Sequence, residues 1–144
     1  MEDAQAVLNV ALQAQLAFMA IGALGMAAGV ATAGKTPKVG RQGFILMFFL
    51  ACALIIPSFL LLQPLVFPEL DFSDPNPSDA ALVQAASLMG YASIPTAILI
   101  GRYTAYRNRD VGNAERTAYL AAVPVIGSIW VLRLLFKPSA APSS

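Results

Sequence analysis

The chain has 144 residues, of which 58% are hydrophobic and only 12% charged, with no histidine, one cysteine and a net charge of +1. The charged share is about half the ~25% of an ordinary soluble domain. No bis-histidine haem, His-ligated metal, Ser-His-Asp or Cys-His dyad or internal disulfide can be built from this composition, and a near-neutral chain gives nucleic-acid binding no footing.

Four apolar runs dominate what is left. A helix needs ~20 apolar residues to cross ~30 Å of hydrocarbon. The runs lie at about Val7 to Ala33, Gly43 to Phe67, Ala80 to Ile100 and Thr117 to Phe136, and Arg133 is the one charged residue inside them. The spacing predicts an all-α polytopic membrane protein, a single domain over residues 1–144 with four transmembrane helices.

The first run follows an acidic Met1-Glu2-Asp3 start. Ala31-Thr32-Ala33 resembles a signal-peptide cleavage site, but a signal begins with positive charge and has a shorter apolar stretch, so the run reads as a retained span. Gly22, Gly25, Gly29 and Ala33 recur at helical spacing and are the candidates for close helix packing, since small residues let two backbones approach. Their partner, another helix of this chain or another subunit, stays open at this point. Lys35, Lys38 and Arg41 follow with no acid among them. Gly34-Lys35-Thr36 imitates the end of a phosphate-binding loop but lacks its earlier glycine and preceding strand.

The second run carries Cys52, which reads as a small apolar packing residue, together with Pro57 and Pro64. The loop after it holds Glu69, Asp71, Asp74 and Asp79 and no base. Its acids match no dedicated calcium loop, and Ser78 or Asp79 is a good N-cap for the third span. Pro95 interrupts the third run and Pro124 the fourth. Each proline frees a carbonyl four residues earlier, such as Ala53, Tyr91 and Leu120, and marks a kink. Asn9, Gln13, Gln63, Gln84 and Ser87 fall in one half of the predicted bilayer and form a candidate interhelical polar cluster.

Between the third and fourth runs lie Arg102, Arg107, Arg109 and Arg116, diluted by Asp110 and Glu115. Anionic headgroups attract basic residues by ~1 kcal/mol each, so Arg102, Arg107, Arg109, Asp110 and Arg116 are the candidate contacts for an anionic lipid or a partner. Seven of the nine Lys and Arg residues thus fall on one side of a four-span arrangement. The positive-inside rule makes that side cytoplasmic and puts both termini on the non-cytoplasmic side. Arg133 is then an outer interfacial anchor, with Trp130, Tyr103 and Tyr119 as aromatic anchors near span ends.

Arg107-Asn108-Arg109-Asp110-Val111-Gly112, followed by a span with Pro124 and Gly127, resembles the Arg-Leu-His-Asp-x-Gly signature of the YhaH-like family, small bacterial inner-membrane proteins of unknown function. Arg107, Asp110 and Gly112 match, while Asn108 and Arg109 replace a leucine and a histidine. The tryptophans that usually follow are missing. The family's early Gly-Arg element survives only as Gly40-Arg41 and Phe44. The likeness covers about a quarter of the chain and implies a fold and a compartment, the bacterial inner membrane, rather than an activity.

The expected function is a non-catalytic integral membrane subunit or accessory protein packed into a larger membrane protein complex, with the lipid bilayer and other membrane subunits as its partners and no cofactor. The alternative is a small oligomeric transporter or channel for an ion or small solute. A proton-coupled carrier of this size needs a carboxylate within the membrane, and the apolar runs hold none. A membrane enzyme would have only Ser, Tyr, Arg and loop acids to work with.

Overall fold

The computed structural model describes residues 2–35, 37–71, 73 and 78–140. All regular structure among them is helical: α1 Glu2–Ala31, α2 Arg41–Ala53, α3 Ile55–Val66, α4 Asp79–Asp110, a 3₁₀ segment Glu115–Ala122, and α5 Ile126–Phe136. Three stretches among the described residues are long and apolar enough to cross a membrane: Leu12–Ala31, Arg41–Val66 (α2 and α3 together) and Ala80–Asp110.

Local chemistry sets the boundaries. Beyond α1, the Thr32 hydroxyl donates back to the Ala28 carbonyl at 2.8 Å, and Gly34 and Pro37 then break the helical pattern. The break between α2 and α3 falls at Leu54, with Pro57 in the first turn of α3. There its missing N–H costs nothing, because first-turn amides have no intrahelical acceptor. Across this break the buried Thr96 hydroxyl of α4 donates to the Ala51 carbonyl at 2.7 Å. Ser78 is the N-cap of α4, its Oγ accepting from the Ala81 amide. α4 runs continuously through Pro95.

At its far end α4 closes in a Schellman motif. Gly112 takes φ 73°, with Gly112 N donating to Arg109 O at 3.1 Å and Asn113 N to Asn108 O at 3.0 Å. A left-handed residue at this position is what glycine supplies without penalty.

α1 and α4 pack side by side in the same direction. A Cβ placed on Gly29 would meet the Ile98 carbonyl and the Arg102 amide, and one on Gly101 would meet the Met26 carbonyl. The glycines thus allow backbone-to-backbone contact within one chain. Phe44, Ala51, Ile100, Val111, Ala121, Val131 and Leu134 form the main buried cluster, and Cys52 packs against it.

The last apolar run departs from expectation. Thr117–Phe136 is not a fourth spanning helix. It is an eight-residue 3₁₀ segment and an eleven-residue helix, each ~16 Å long, about half the ~30 Å that a span requires. The two arms reverse at Pro124-Val125. Val125 has φ 67° and ψ −58°, and Ile126 N donates to Pro124 O at 2.8 Å, a γ-turn with a left-handed centre. Gly127 then passes directly against the Ala121 carbonyl, leaving no room for a Cβ. The returning arm ends beside the α4 terminus, where Ala140 N donates to Asp110 O at 2.9 Å. The expectation of both termini on one side is not met among the described residues, where the start of α1 and Ala140 lie at opposite ends of the bundle; residues 141–144 lie outside them. A proline kink was expected at Pro124, and the chain turns back there instead.

Candidate functional site

Three consecutive side chains at the end of α4 organise the surrounding loops. Successive helical residues point ~100° apart, so Arg107, Asn108 and Arg109 face three directions and each holds a different segment.

Arg107 is fully buried. Its Nε donates to Leu134 O at 3.2 Å, and its two terminal nitrogens reach Asp110 Oδ2, the Lys137 carbonyl and, at 3.0 Å, Ser139 Oγ. The Ser139 hydroxyl donates to Asp110 Oδ2 at 2.6 Å. The guanidinium therefore caps carbonyls at the C-terminal end of α5, where a positive charge is also favoured by the helix dipole. Asp110 balances the charge.

Asn108 is also fully buried. Its Nδ2 donates to Ala114 O at 2.9 Å and Thr117 Oγ1 at 3.0 Å, and its Oδ1 accepts from Asn113 Nδ2 at 2.9 Å. Lys137 Nζ donates to Asn113 Oδ1 at 2.8 Å, which joins this network to the returning arm. Both ends of the hairpin are thus fastened to one turn of α4.

Arg109 holds the α1–α2 loop by donating to the carbonyls of Gly34 and Pro37. Its Nε pairs with Glu115 at 3.2 Å, and the guanidinium lies 5.8 Å from the Tyr106 ring centroid.

Of the expected lipid or partner contacts, Arg107, Arg109 and Asp110 are therefore engaged within the chain. Arg102 is exposed and donates to the Tyr106 hydroxyl at 2.8 Å. Arg116, Lys35, Lys38 and Arg41 are exposed at the same end. Arg133 lies 5.5 Å from the centroid of the Trp130 ring. Of the four small residues, Gly25 and Gly29 of α1 face α4, Gly22 has open space before it, and Ala33, just beyond α1, packs beside Val30, Ala105 and Ala118.

The polar cluster is only partly assembled. Gln13 and Ser87 line one cleft between α1 and α4. Gln84 lines another with Glu69 and Asp71, and Gln63 donates to Leu70 O at 3.3 Å. In that loop the Ser73 hydroxyl, then its amide, hold the Asp71 carboxyl below its ordinary value. Asp74 lies outside the described residues. The Leu120 carbonyl expected to be freed by Pro124 accepts instead from Val123 N at 3.2 Å.

Asn108, Asn113, Thr117, Lys137 and Ser139 were not anticipated from the sequence. The available signal was an asparagine between two arginines just before a glycine, in a turn that a purely electrostatic patch does not require.

Beside the hairpin, Phe18, Met19, Gly22 and Met26 of α1, Val123 to Val125, and Ser128 and Leu132 of α5 line an open groove of 530 Å³. Gly22 precedes the end of α1 by nine residues, ~14 Å of helix, so the turn sits roughly halfway into an apolar layer ~30 Å thick.

Three helical stretches long and apolar enough to cross a membrane mark the chain as a helical integral membrane protein. No protein-family profile, no curated protein and no solved structure matches the chain.

Proposed function

We propose that the chain is a non-catalytic subunit or accessory protein of a larger membrane protein complex in a bacterial inner membrane, with three crossings and a re-entrant hairpin. The observation that carries this reading is the irregular, exposed turn of the hairpin. Val123 and Val125 are 40% and 71% exposed, at a depth where lipid cannot satisfy backbone polar groups. Non-helical backbone persists there only when protein covers it or it lines a water-filled cavity. The groove beside this turn is apolar, which favours protein cover over a water path. Chemistry has little to work with: the three spanning-length apolar cores hold no carboxylate and the chain has no histidine.

Charge supports the orientation. With the hairpin returning, all nine Lys and Arg residues gather at one end, Arg133 and Lys137 included, in place of the seven that four spans would collect. The two acids at that end, Asp110 and Glu115, are paired with Arg107 and Arg109. The positive-inside rule then makes that end cytoplasmic.

In a Cys52→Ala background, we expect Lys38→Cys and Ala140→Cys to be labelled only from the cytoplasm and Asp71→Cys only from outside. Labelling of position 140 from outside would restore a fourth crossing. Gentle solubilisation of native membranes followed by sizing and mass spectrometry should find the chain in stoichiometric association with other polypeptides. A chain that runs alone and passes ions in liposomes would be a small oligomeric channel instead.

A further inference from the structure

Lys35, Lys38, Arg102 and Arg116 are exposed at the basic end, and none makes an ion pair among the described residues. Arg109 gathers three of them. Its guanidinium donates to the Gly34 and Pro37 carbonyls and pairs with Glu115. Lys35, Lys38 and Arg116 are the next residues along the chain from these three contacts, and neighbouring Cα atoms are only about 3.8 Å apart. Arg102 joins the group through Tyr106. Its Nε donates to the Tyr106 hydroxyl at 2.8 Å, and the Tyr106 ring centroid lies 5.8 Å from the Arg109 guanidinium carbon. Tyr106 is buried, with its ring edge-on to Tyr103 at 5.6 Å, so the hydroxyl is a fixed point. The bond runs one turn along α4 toward the basic end. It leaves both terminal nitrogens of Arg102 without a partner among the described residues.

We infer that this surface binds the phosphate of an anionic phospholipid, with Arg102 as the fork, Lys35, Lys38 and Arg116 as surrounding cations, and Arg109 as the positioning residue. Depth selects the lipid. A Cβ built on Gly29 would lie 2.9 Å from the Arg102 amide, and Gly29 is two residues from Ala31, where the first spanning-length stretch ends. Arg102 is therefore level with the edge of the hydrocarbon, where the headgroup layer begins. An acidic segment of a soluble protein would have to enter that layer, whereas lipid phosphates already occupy it. A guanidinium with both terminal nitrogens free matches a phosphate in a bidentate pair. Each basic residue near an anionic leaflet adds about fivefold to the attraction. The surface serves this role with or without partner subunits.

Native mass spectrometry of the purified chain in detergent, titrated separately with phosphatidylglycerol and phosphatidylcholine of the same acyl chains, is the test. Phosphatidylglycerol should bind at least about tenfold more tightly. Two double variants remove equal charge. Lys35→Gln with Arg102→Gln should abolish the preference. Arg41→Gln with Arg133→Gln should keep most of it, because these exposed residues adjoin none of the Arg109 contacts. Tyr106→Phe keeps the ring and the net charge and removes only the hydroxyl that orients Arg102. It should lower the preference about threefold at an unchanged unfolding temperature. Arg109→Gln should lower it more than Arg133→Gln, which removes the same charge. Equal binding of the two lipids by the unaltered chain would overturn the inference and assign these cations to acidic groups of a neighbouring protein. Equal losses from the two double variants, or an unaltered preference in Tyr106→Phe, would overturn it in favour of unorganised surface charge. Displacement of phosphatidylglycerol by millimolar inorganic phosphate would overturn it in favour of a soluble anion.

Discussion

Arg107→Ala should release the C-terminal hairpin and lower stability by ~3–5 kcal/mol, the usual consequence of removing one partner of a buried ion pair. The loss has three parts. Asp110 remains part-buried, its side chain 17% exposed, with only the Ser139 hydroxyl to receive. The Leu134 and Lys137 carbonyls lose the guanidinium that capped them. A cavity the size of a large side chain is left where nothing of Arg107 was exposed. Thermal unfolding in detergent measures the loss. Trp130, on the released arm, should shift its emission.

Arg107→Lys should recover little of this, because one ammonium cannot serve the acceptors that the planar fork reaches in different directions. Arg109→Ala is the control. The Arg109 side chain is 14% exposed and that of Glu115 68%. Its removal loses a partly screened pair worth ~0–1 kcal/mol and the contacts to the Gly34 and Pro37 carbonyls, but strands no buried charge. Equal destabilisation by Arg107→Ala and Arg109→Ala would mean that the buried cap does not hold the hairpin.

The contrast between these arginines marks where sequence reading stops. Length and hydropathy made three spanning stretches legible, because crossing hydrocarbon imposes a minimum run of apolar residues. They could not distinguish a span from a hairpin over Thr117–Phe136. Two half-length arms packed on neighbouring helices have the same composition as one crossing, and only direction separates them. Direction was set by a single residue, Val125, in a conformation β-branched side chains rarely adopt. The charge count held a usable trace, since four spans left Arg133 and Lys137 alone on the acidic side. Arg107 and Arg109 looked alike in the sequence because their burial depends on where residues 134–140 return. Gly25 and Gly29 of α1 approach Ala97, Ile98 and Arg102 of α4, about seventy residues away in the sequence, so the small-residue spacing could not name that neighbour.

That packing face yields a graded prediction. Alanine is preferred over glycine in a helix by ~1 kcal/mol, whereas overpacking a tight contact costs ~1–3 kcal/mol. At Gly22, with open space before it, propensity wins and Gly22→Ala should be neutral to stabilising. At Gly25 the obstacle is the Ala97 methyl at 2.9 Å from the added Cβ, a side chain that can be removed. Gly25→Ala should cost ~1–2 kcal/mol, and Ala97→Gly should largely restore it. At Gly29 and Gly101 the obstacle is the main chain of the facing helix. Gly29→Ala should therefore cost ~3 kcal/mol or more, with no rescue from Ala97→Gly, and Gly29→Leu should prevent α1 from docking on α4. Unfolding free energies of the purified single and double variants decide the order. If Ala97→Gly rescued Gly29→Ala as fully as Gly25→Ala, the contact at Gly29 would be between side chains, and the close backbone approach of α1 and α4 would be lost as the basis of the bundle.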